Sequence, residues 1–188
     1  MGEIIKIVHI GGVSGVGKST VLRYLERLAP QEVCIISASS ILNQISTARF
    51  GSEFKNLEDK KKVEVRIDAV KKIQNFGCAV VILDSHYVDK SNGKFVPIIP
   101  LEFANAIDLH IVIEAEYEQV LERRLRDTDR LRSLKLGDIK IEAEAEKDEA
   151  FRIARSNSKD LYLINNSEPH ETAKELINLL RKDKLGDT

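Results

Sequence analysis

The chain reads Gly11-Gly12-Val13-Ser14-Gly15-Val16-Gly17-Lys18-Ser19-Thr20. Gly12 to Ser19 match the phosphate-binding loop pattern G-x-x-x-x-G-K-[ST], whose glycines let successive backbone N–H groups curve around a phosphate. In that pattern Lys18 reaches the β- and γ-phosphates and the Ser19 hydroxyl binds Mg²⁺. The N-terminus of the following helix adds its partial positive charge. We therefore expect nucleotide contacts from eight residues: Gly12, Ser14, Gly15, Val16, Gly17, Lys18, Ser19 and Thr20.

The flanking sequence supports this interpretation, because such a loop follows a strand and opens a helix. The run Ile4–Ile10 is rich in β-branched residues and predicts a buried strand. Downstream, four apolar residues recur at helical spacing before Pro30 ends the pattern: Val21, Leu22, Leu25 and Leu28. The alternative is a glycine-rich turn without a ligand, and the agreement of motif and context argues against it.

Length and composition indicate a single globular domain. The 188 residues carry a net charge of −1 with both signs interspersed, so no basic field suggests nucleic acid. No apolar stretch is long enough to span a membrane. The N-terminal apolar run is too short for a signal peptide and is interrupted by Lys6 and His9. We expect a cytoplasmic protein with a small-molecule substrate.

Two cysteines, Cys34 and Cys78, each stand at the start of an apolar, strand-like run. We expect both to be buried free thiols that pack as small apolar side chains. Neither belongs to a CxxC pair, so a metal or redox role has no support in the pattern.

Strand-like and helical patterns alternate along the chain. Strands are predicted at 4–10, 33–37, 79–84, 109–113 and 161–164, and helices at about 57–76, 116–130, 139–157 and 169–182. The strands are continuous apolar runs, as expected for parallel strands buried on both faces. This alternation predicts an α/β fold with a parallel sheet between two layers of helices.

A second candidate for chemistry follows the predicted third strand, where the sequence reads Asp84-Ser85-His86. An acid at the carboxyl end of a buried strand fits the Mg²⁺-side partner of a phosphate-binding loop. The alternative for Asp84 is a cap on the next turn. His86 either contacts substrate or makes a structural hydrogen bond.

A third candidate is an arginine cluster interleaved with Asp127 and Asp129. Its members are Arg123, Arg124, Arg126, Arg130 and Arg132. Phosphoryl transfer needs cations that neutralise charge on the transferring group, and a mobile segment often carries them. The alternative is a solvated helix end held by salt bridges, which most charge runs are. We expect one or two of the five arginines to be functional.

With these motifs in hand, the chain resembles the nucleoside monophosphate kinases, and among them the archaeal-type adenylate kinases. Asp84-Ser85-His86 is similar to their Asp-Thr-His, and the run 122–127, Glu-Arg-Arg-Leu-Arg-Asp, is similar to the start of their lid. The N-K-x-D sequence of guanine-specific GTPases is absent, and the order of parts matches over nearly the whole chain, including the loop Asn165-Asn166-Ser167 after the last strand.

The resemblance implies the P-loop three-layer α/β/α fold with a five-stranded parallel sheet in the order 2-3-1-4-5. It implies one kinase domain with an acceptor-binding helical segment at about 38–77 and a short arginine-rich lid at about 127–140. ATP and Mg²⁺ are the implied cofactors, with Ser19 and Asp84 on the metal. Lys18 and Asp84 are the implied catalytic residues, together with the lid arginines Arg124, Arg126 and Arg130, of which Arg124 also binds nucleotide.

One stretch departs from the family pattern. Many adenylate kinases carry Asp-x-Leu-Arg after the second strand, and its arginine holds the AMP phosphate. This chain has Ser40-Ile41-Leu42-Asn43 there, with neither acid nor arginine. Arg49, Lys55 and Arg66 are the candidates to replace that arginine.

Three functions remain open at this stage. The first is transfer of the γ-phosphoryl group of ATP to a nucleoside monophosphate, with AMP as the first acceptor to consider. The second is a kinase for a small-molecule hydroxyl, with Asp84 or Asp89 as the base. The third is an ATP-binding or ATPase regulatory module, which an arginine-rich lid disfavours because lids exclude water from the reacting phosphate.

Overall fold

The computed structural model describes residues 6–127 and 132–185. Its strands are β1 Lys6–Gly11, β2 Val33–Ser37, β3 Val80–Asp84, β4 Val88–Ser91, β5 Lys94–Pro97, β6 Leu109–Glu114 and β7 Asp160–Asn165. Five of them form one parallel sheet in the order β2-β3-β1-β6-β7, while β4 and β5 pair separately as an antiparallel hairpin. Counted within the main sheet, this is the predicted order 2-3-1-4-5, and the fold prediction is confirmed.

Helices cover both faces of the sheet. They are α1 Lys18–Leu28, α2 Ala38–Phe50, α3 Asp59–Ile73, α4 Leu101–Ala106, α5 Tyr117–Arg126, α6 Leu136–Ser156 and α7 Pro169–Leu185, with a 3₁₀ turn at Phe54–Asn56. Alternate residues of β1 pack against the helix layers on opposite faces of the sheet. Val8 and Ile10 pack with α1 and α7, whereas Ile7 packs with α2, α3 and α4. No helix of the described ranges 6–127 and 132–185 is both long and apolar enough to cross a membrane.

The register of the central strands determines where the site forms. Ile10 lies opposite Asp84, which in turn lies opposite Ser37. Because these residues end parallel strands, the loops that follow β1, β2 and β3 meet at one edge of the sheet.

Some elements differ from the sequence prediction. The β4–β5 hairpin and α4 were not predicted, since both are short and the hairpin is mostly exposed. Asn92 and Gly93 form its turn with positive φ angles of 50° and 76°. The Asn-Gly pair is typical of such a turn and is the sequence feature that could have predicted the hairpin. The helix predicted to reach about residue 130 ends at Arg126, and part of the predicted lid, residues 128–131, lies outside the described residues.

The prediction of buried free thiols is wrong. Cys34 and Cys78 form a disulfide with a Cα–Cα distance of 5.9 Å, and both residues are half-buried. Parallel pairing of β2 with β3 brings together two cysteines that are 44 residues apart. The disulfide therefore links the edge strand β2 to the residues just before β3.

We expect Cys34→Ser to lower the free energy of unfolding by about 2–4 kcal/mol, because the unfolded chain loses a cross-link that closes a loop of 44 residues. Urea denaturation of parent and variant, each with and without dithiothreitol, measures this change. The reduced parent should unfold like the variant, and the variant should not respond to reductant. A parent that is equally stable in both conditions would show that this disulfide contributes nothing.

Candidate active site

A cavity of about 820 Å³ lies at the carboxyl ends of β1, β2 and β3. Residues 13–20 of the phosphate-binding loop form one wall, and Ser37 and Ser39 lie across from it. The segment 84–86 and Asp89 line the cavity as well, as do Arg123 and Arg132. The structure thus brings the loop, the acid after β3 and two of the five clustered arginines to one site.

Gly17 is the N-cap of α1, and its backbone requires glycine. Its φ of 93° is left-handed, and a Cβ there would lie 2.5 Å from Asn166 Nδ2. Asn166 Nδ2 and Arg123 Nη1 both donate to the Val16 carbonyl, at 2.8 Å and 2.7 Å. The loop is therefore fixed from two distant parts of the chain, while the first N–H groups of α1 have no partner within the helix.

Arg124 supports the same loop from behind. Its Nε donates to the Ser14 carbonyl at 2.8 Å, Nη1 to the Ser133 carbonyl at 3.0 Å and Nη2 to Glu142 at 2.8 Å. The side chain is 3 % exposed and does not line the cavity. Arg124 joins the loop to α6 here, so its proposed contact with ATP stays a prediction.

The other predicted arginines lie in different surroundings. Arg126 is exposed, stands 3.6 Å from Glu122 and does not line the cavity. Arg130 lies outside the described residues. Both assignments stay predictions. Arg132, which does line the cavity, pairs with Asp127 at 2.8 Å.

Lys18 and Asp84 form a direct ion pair inside the cavity. Ser19 lines the same wall. Within the described ranges no three His, Cys, Asp or Glu side chains group closely enough to hold a metal ion. A hydroxyl, a single carboxylate and substrate phosphates are nevertheless the donor set with which Mg²⁺ is commonly held. Ser19 and Asp84 thus fit a Mg²⁺ ion that arrives with a nucleotide.

Sequence reasoning missed Glu146, which is 2 % exposed on α6. It accepts a hydrogen bond from the Tyr87 backbone N–H at 2.7 Å, and it contacts His86 Nδ1 at 2.7 Å. This carboxylate orients the His86 ring beside the cavity. In the sequence, Asn166 is indicated only weakly, as part of an asparagine-containing loop after the last strand. Glu146 has no signal of its own, because it is one of many acids in a highly charged helix.

Three buried side chains, His9, Tyr87 and His110, form a cluster of rings. His9 and Tyr87 stack edge to face with ring centroids 4.3 Å apart, and Tyr87 Oη lies 3.2 Å from His110 Nδ1. Burial, and then the neighbouring His110, hold the pKa of His9 well below its usual value. Burial, and then Lys159, lower the pKa of His110 to about 4. Both rings are therefore neutral near pH 7.

The loop between β1 and α1, the acid at the end of β3 and the sheet order together define a P-loop nucleotide-binding fold. A family model described as an AAA domain matches residues 11–140, and the chain belongs to that family. The chain is therefore a P-loop protein of this family, and its sheet order is that of the α/β kinase fold.

Proteins of similar sequence include archaeal adenylate kinases. The adenylate kinase of Pyrobaculum aerophilum is 26 % identical over 198 residues, covering 95 % of this chain and 98 % of that protein. The adenylate kinase of Pyrococcus furiosus is 24 % identical, covering 93 % and 94 %. That of Methanocaldococcus jannaschii is 28 % identical, covering 68 % and 71 %. The chain is a distant homologue of these enzymes over most of its length.

Solved structures of small-molecule kinases share the fold. Shikimate kinase from Acinetobacter baumannii, in complex with shikimate, aligns with a TM-score of 0.58 at 15 % identity, covering 97 % of each chain. A gluconokinase from Sinorhizobium meliloti 1021 aligns with a TM-score of 0.52 at 14 % identity, covering 97 % of this chain and 98 % of that one. At these identities the similarity concerns the fold alone.

Proposed function

We propose that this protein transfers the γ-phosphoryl group of ATP to a nucleoside monophosphate, with AMP as the first candidate. The observation that carries the proposal is one cavity shared by Lys18, Asp84, Arg123 and Arg132. The cavity reaches from the phosphate-binding loop to Ser39 on α2, and we infer that it takes a donor and an acceptor side by side. Homology to enzymes named adenylate kinase supports the same acceptor class.

Catalysis by this cavity rests on positioning and on charge. Lys18 and the N-terminus of α1 hold the β- and γ-phosphates, and the arginines neutralise charge on the transferring group. The attacking oxygen of a monophosphate is already anionic, so in-line transfer needs no general base. Mg²⁺, held through Ser19 and Asp84, would supply further positive charge at the phosphates.

Two segments complete the proposed machinery. We infer that the helical segment within 38–77, which contains α2 and α3, covers the acceptor. We infer also that the segment within 127–140 acts as a lid, and that its closure brings Arg126 and Arg130 to the phosphates. Closure excludes water, which protects the γ-phosphoryl group from hydrolysis.

A hydroxyl acceptor is the second candidate, and two observations favour it. Asp89 lines the cavity in addition to Asp84, and a carboxylate near the acceptor is what a hydroxyl kinase uses as a base. In addition, the three basic residues suggested to bind the phosphate of a monophosphate acceptor do not line the cavity. Arg49 pairs with two acids of α3, exposed Lys55 pairs with Glu53, and Arg66 lies over a phenylalanine ring.

A coupled assay for ADP release separates the candidates. The acceptors are AMP, GMP, CMP, UMP and a set of small alcohols that includes shikimate and gluconate, and a control contains ATP and Mg²⁺ alone. Fast turnover with one monophosphate supports the proposal. Fast turnover with an alcohol alone favours the hydroxyl kinase, and equal turnover in the control favours an ATPase module.

Asp84→Asn should raise the Mg²⁺ concentration needed for half-maximal activity by about tenfold, with ATP binding less affected. The amide retains the shape of the side chain but loses the charge that holds the metal. Titration of Mg²⁺ at saturating ATP and AMP measures the shift. Asp89→Asn is the matched control, since it alters the other carboxylate of the cavity and should leave the Mg²⁺ dependence unchanged. Identical titrations for parent and Asp84→Asn would make Asp84 a structural cap.

A further inference from the structure

The ring of His9 is buried without a hydrogen-bond partner. The residue is 2 % exposed, and neither Nδ1 nor Nε2 has a partner among the described residues. A buried polar group without a hydrogen-bond partner lowers the stability of the folded state. His110, its register neighbour on β6, has Tyr87 Oη beside Nδ1 and lacks a partner at Nε2 alone, so His9 is the one of the two with neither nitrogen paired among the described residues. An apolar residue would fill the position of His9 without that cost, so the histidine calls for an explanation.

A small cavity of about 160 Å³ adjoins the ring, and we call it the His9 pocket. It lies between the end of β1, the start of α2 and the segment 98–103, and its wall is mostly apolar. Apart from His9, its lining includes Ala38, Ser39, Leu42, Ile99, Phe103 and Ile107. The pocket shares Ser39, Ser85 and Ile98 with the main cavity. It therefore forms an apolar side chamber next to the place where phosphates would react.

We propose that His9 is a residue that selects the acceptor: a ring nitrogen of His9 hydrogen-bonds the uncharged base of a nucleoside monophosphate that enters the His9 pocket. This inference rests on the proposed function, because it needs an acceptor with one uncharged end and one phosphate end. The apolar wall disfavours a charged group, whereas the faces of an uncharged planar base can pack against it and a polar edge of the base can bond to His9. The phosphate end then lies in the main cavity, beside Lys18 and the arginines.

The state of the ring suits this role. Burial keeps the pKa of His9 far enough below its usual value that the ring is neutral near pH 7. A neutral imidazole offers one N–H donor and one acceptor nitrogen, so it can match a base edge of either polarity. Both nitrogens are shielded from water, and the contact therefore needs a small shift of the ring or of the neighbouring pocket wall.

Kinetics of His9→Leu test the proposal. Leucine fills the space and removes both hydrogen-bonding nitrogens. We expect KM for the best of AMP, GMP, CMP and UMP to rise about tenfold, which corresponds to one lost hydrogen bond. The preference among the four monophosphates should narrow, while KM for ATP stays at the parental value. His110→Leu is the matched control, because His110 is equally buried but does not line the pocket, and its acceptor KM should stay parental.

A parental acceptor KM and preference in folded His9→Leu would overturn the proposal and leave His9 as a structural histidine. A second measurement covers a variant that fails to fold. In the parent, ring resonances of ¹⁵N-labelled histidine should shift for His9 on addition of AMP or another of the four monophosphates, and an absence of shift with all four overturns the proposal. Failure of the proposed function has a different signature, namely no monophosphate-dependent ADP release by the parent enzyme.

Discussion

Lys18→Ala should reduce phosphoryl transfer by about a thousandfold or more while the protein stays folded. The change removes the cation aimed at the β- and γ-phosphates, and stabilisation of that kind is worth several kcal/mol in the transition state. The loop itself should remain in place. Its carbonyls are held by Arg123, Arg124 and Asn166, none of which depends on Lys18.

The Lys18–Asp84 ion pair affects how this result is interpreted. Without Lys18, the carboxylate of Asp84 loses its ion-pair partner among the described residues, but the side chain is 26 % exposed and water compensates in part. A modest loss of stability is therefore expected together with the large loss of kcat. Lys18→Met, which keeps most of the side-chain length, serves as the matched variant. Thermal unfolding shows whether each variant is folded, and near-parental ADP release by folded Lys18→Ala would refute the P-loop kinase assignment.

Lysine substitutions at Arg123 and Arg132 should reduce kcat more than they weaken ATP binding. Both arginines line the cavity beside the phosphate-binding loop. Lysine retains the charge but loses the planar fork of donors. If the fork contacts the transferring group mainly in the transition state, the loss appears in kcat. We expect at least one of the two variants to lose about tenfold to a thousandfold, the range associated with positioned arginines.

The same series extends to the other predicted arginines, Arg124, Arg126 and Arg130. Arg124→Lys also breaks the link from the loop to α6, so its unfolding must be measured alongside its kinetics. Arg181→Lys is the control, because Arg181 on α7 pairs with Glu32, just before β2, and neither residue lines the cavity. Parental kcat in every variant of the cluster would remove the arginine hypothesis and favour the regulatory ATPase module.

Short sequence patterns predicted the phosphate-binding loop and most of the main strands and helices, because neighbouring residues determine these features. The alternation of apolar strands with helices predicted a parallel sheet covered on both faces, and the strand order came from the family resemblance. The cysteine pair was not predictable in this way. Cys34 and Cys78 meet only because β2 pairs in parallel with β3, and nothing near either residue records that pairing.

For the arginine cluster, the sequence could not predict which side chains reach the site. Arg123 and Arg124 are adjacent and chemically equal, and both hold loop carbonyls, yet only Arg123 also lines the cavity. Which of them faces a phosphate depends on the rotation of α5, and that rotation is set by packing of Val120 in the core. The sequence likewise provided no indication of the pocket beside His9, because His9 is simply one polar residue within an apolar strand.

Because the chain is synthesised from its N-terminus, the phosphate-binding loop is made long before the residues that fix its shape for nucleotide binding. The loop carbonyls bond to partners 107, 110 and 150 residues further along the chain. At about 5–20 residues per second, the last of these partners follows the loop by roughly 8–30 seconds. During that interval the loop lacks the contacts that fix its shape. Partly synthesised chains should therefore bind nucleotide poorly, and a nucleotide would stabilise only chains that already include Asn166.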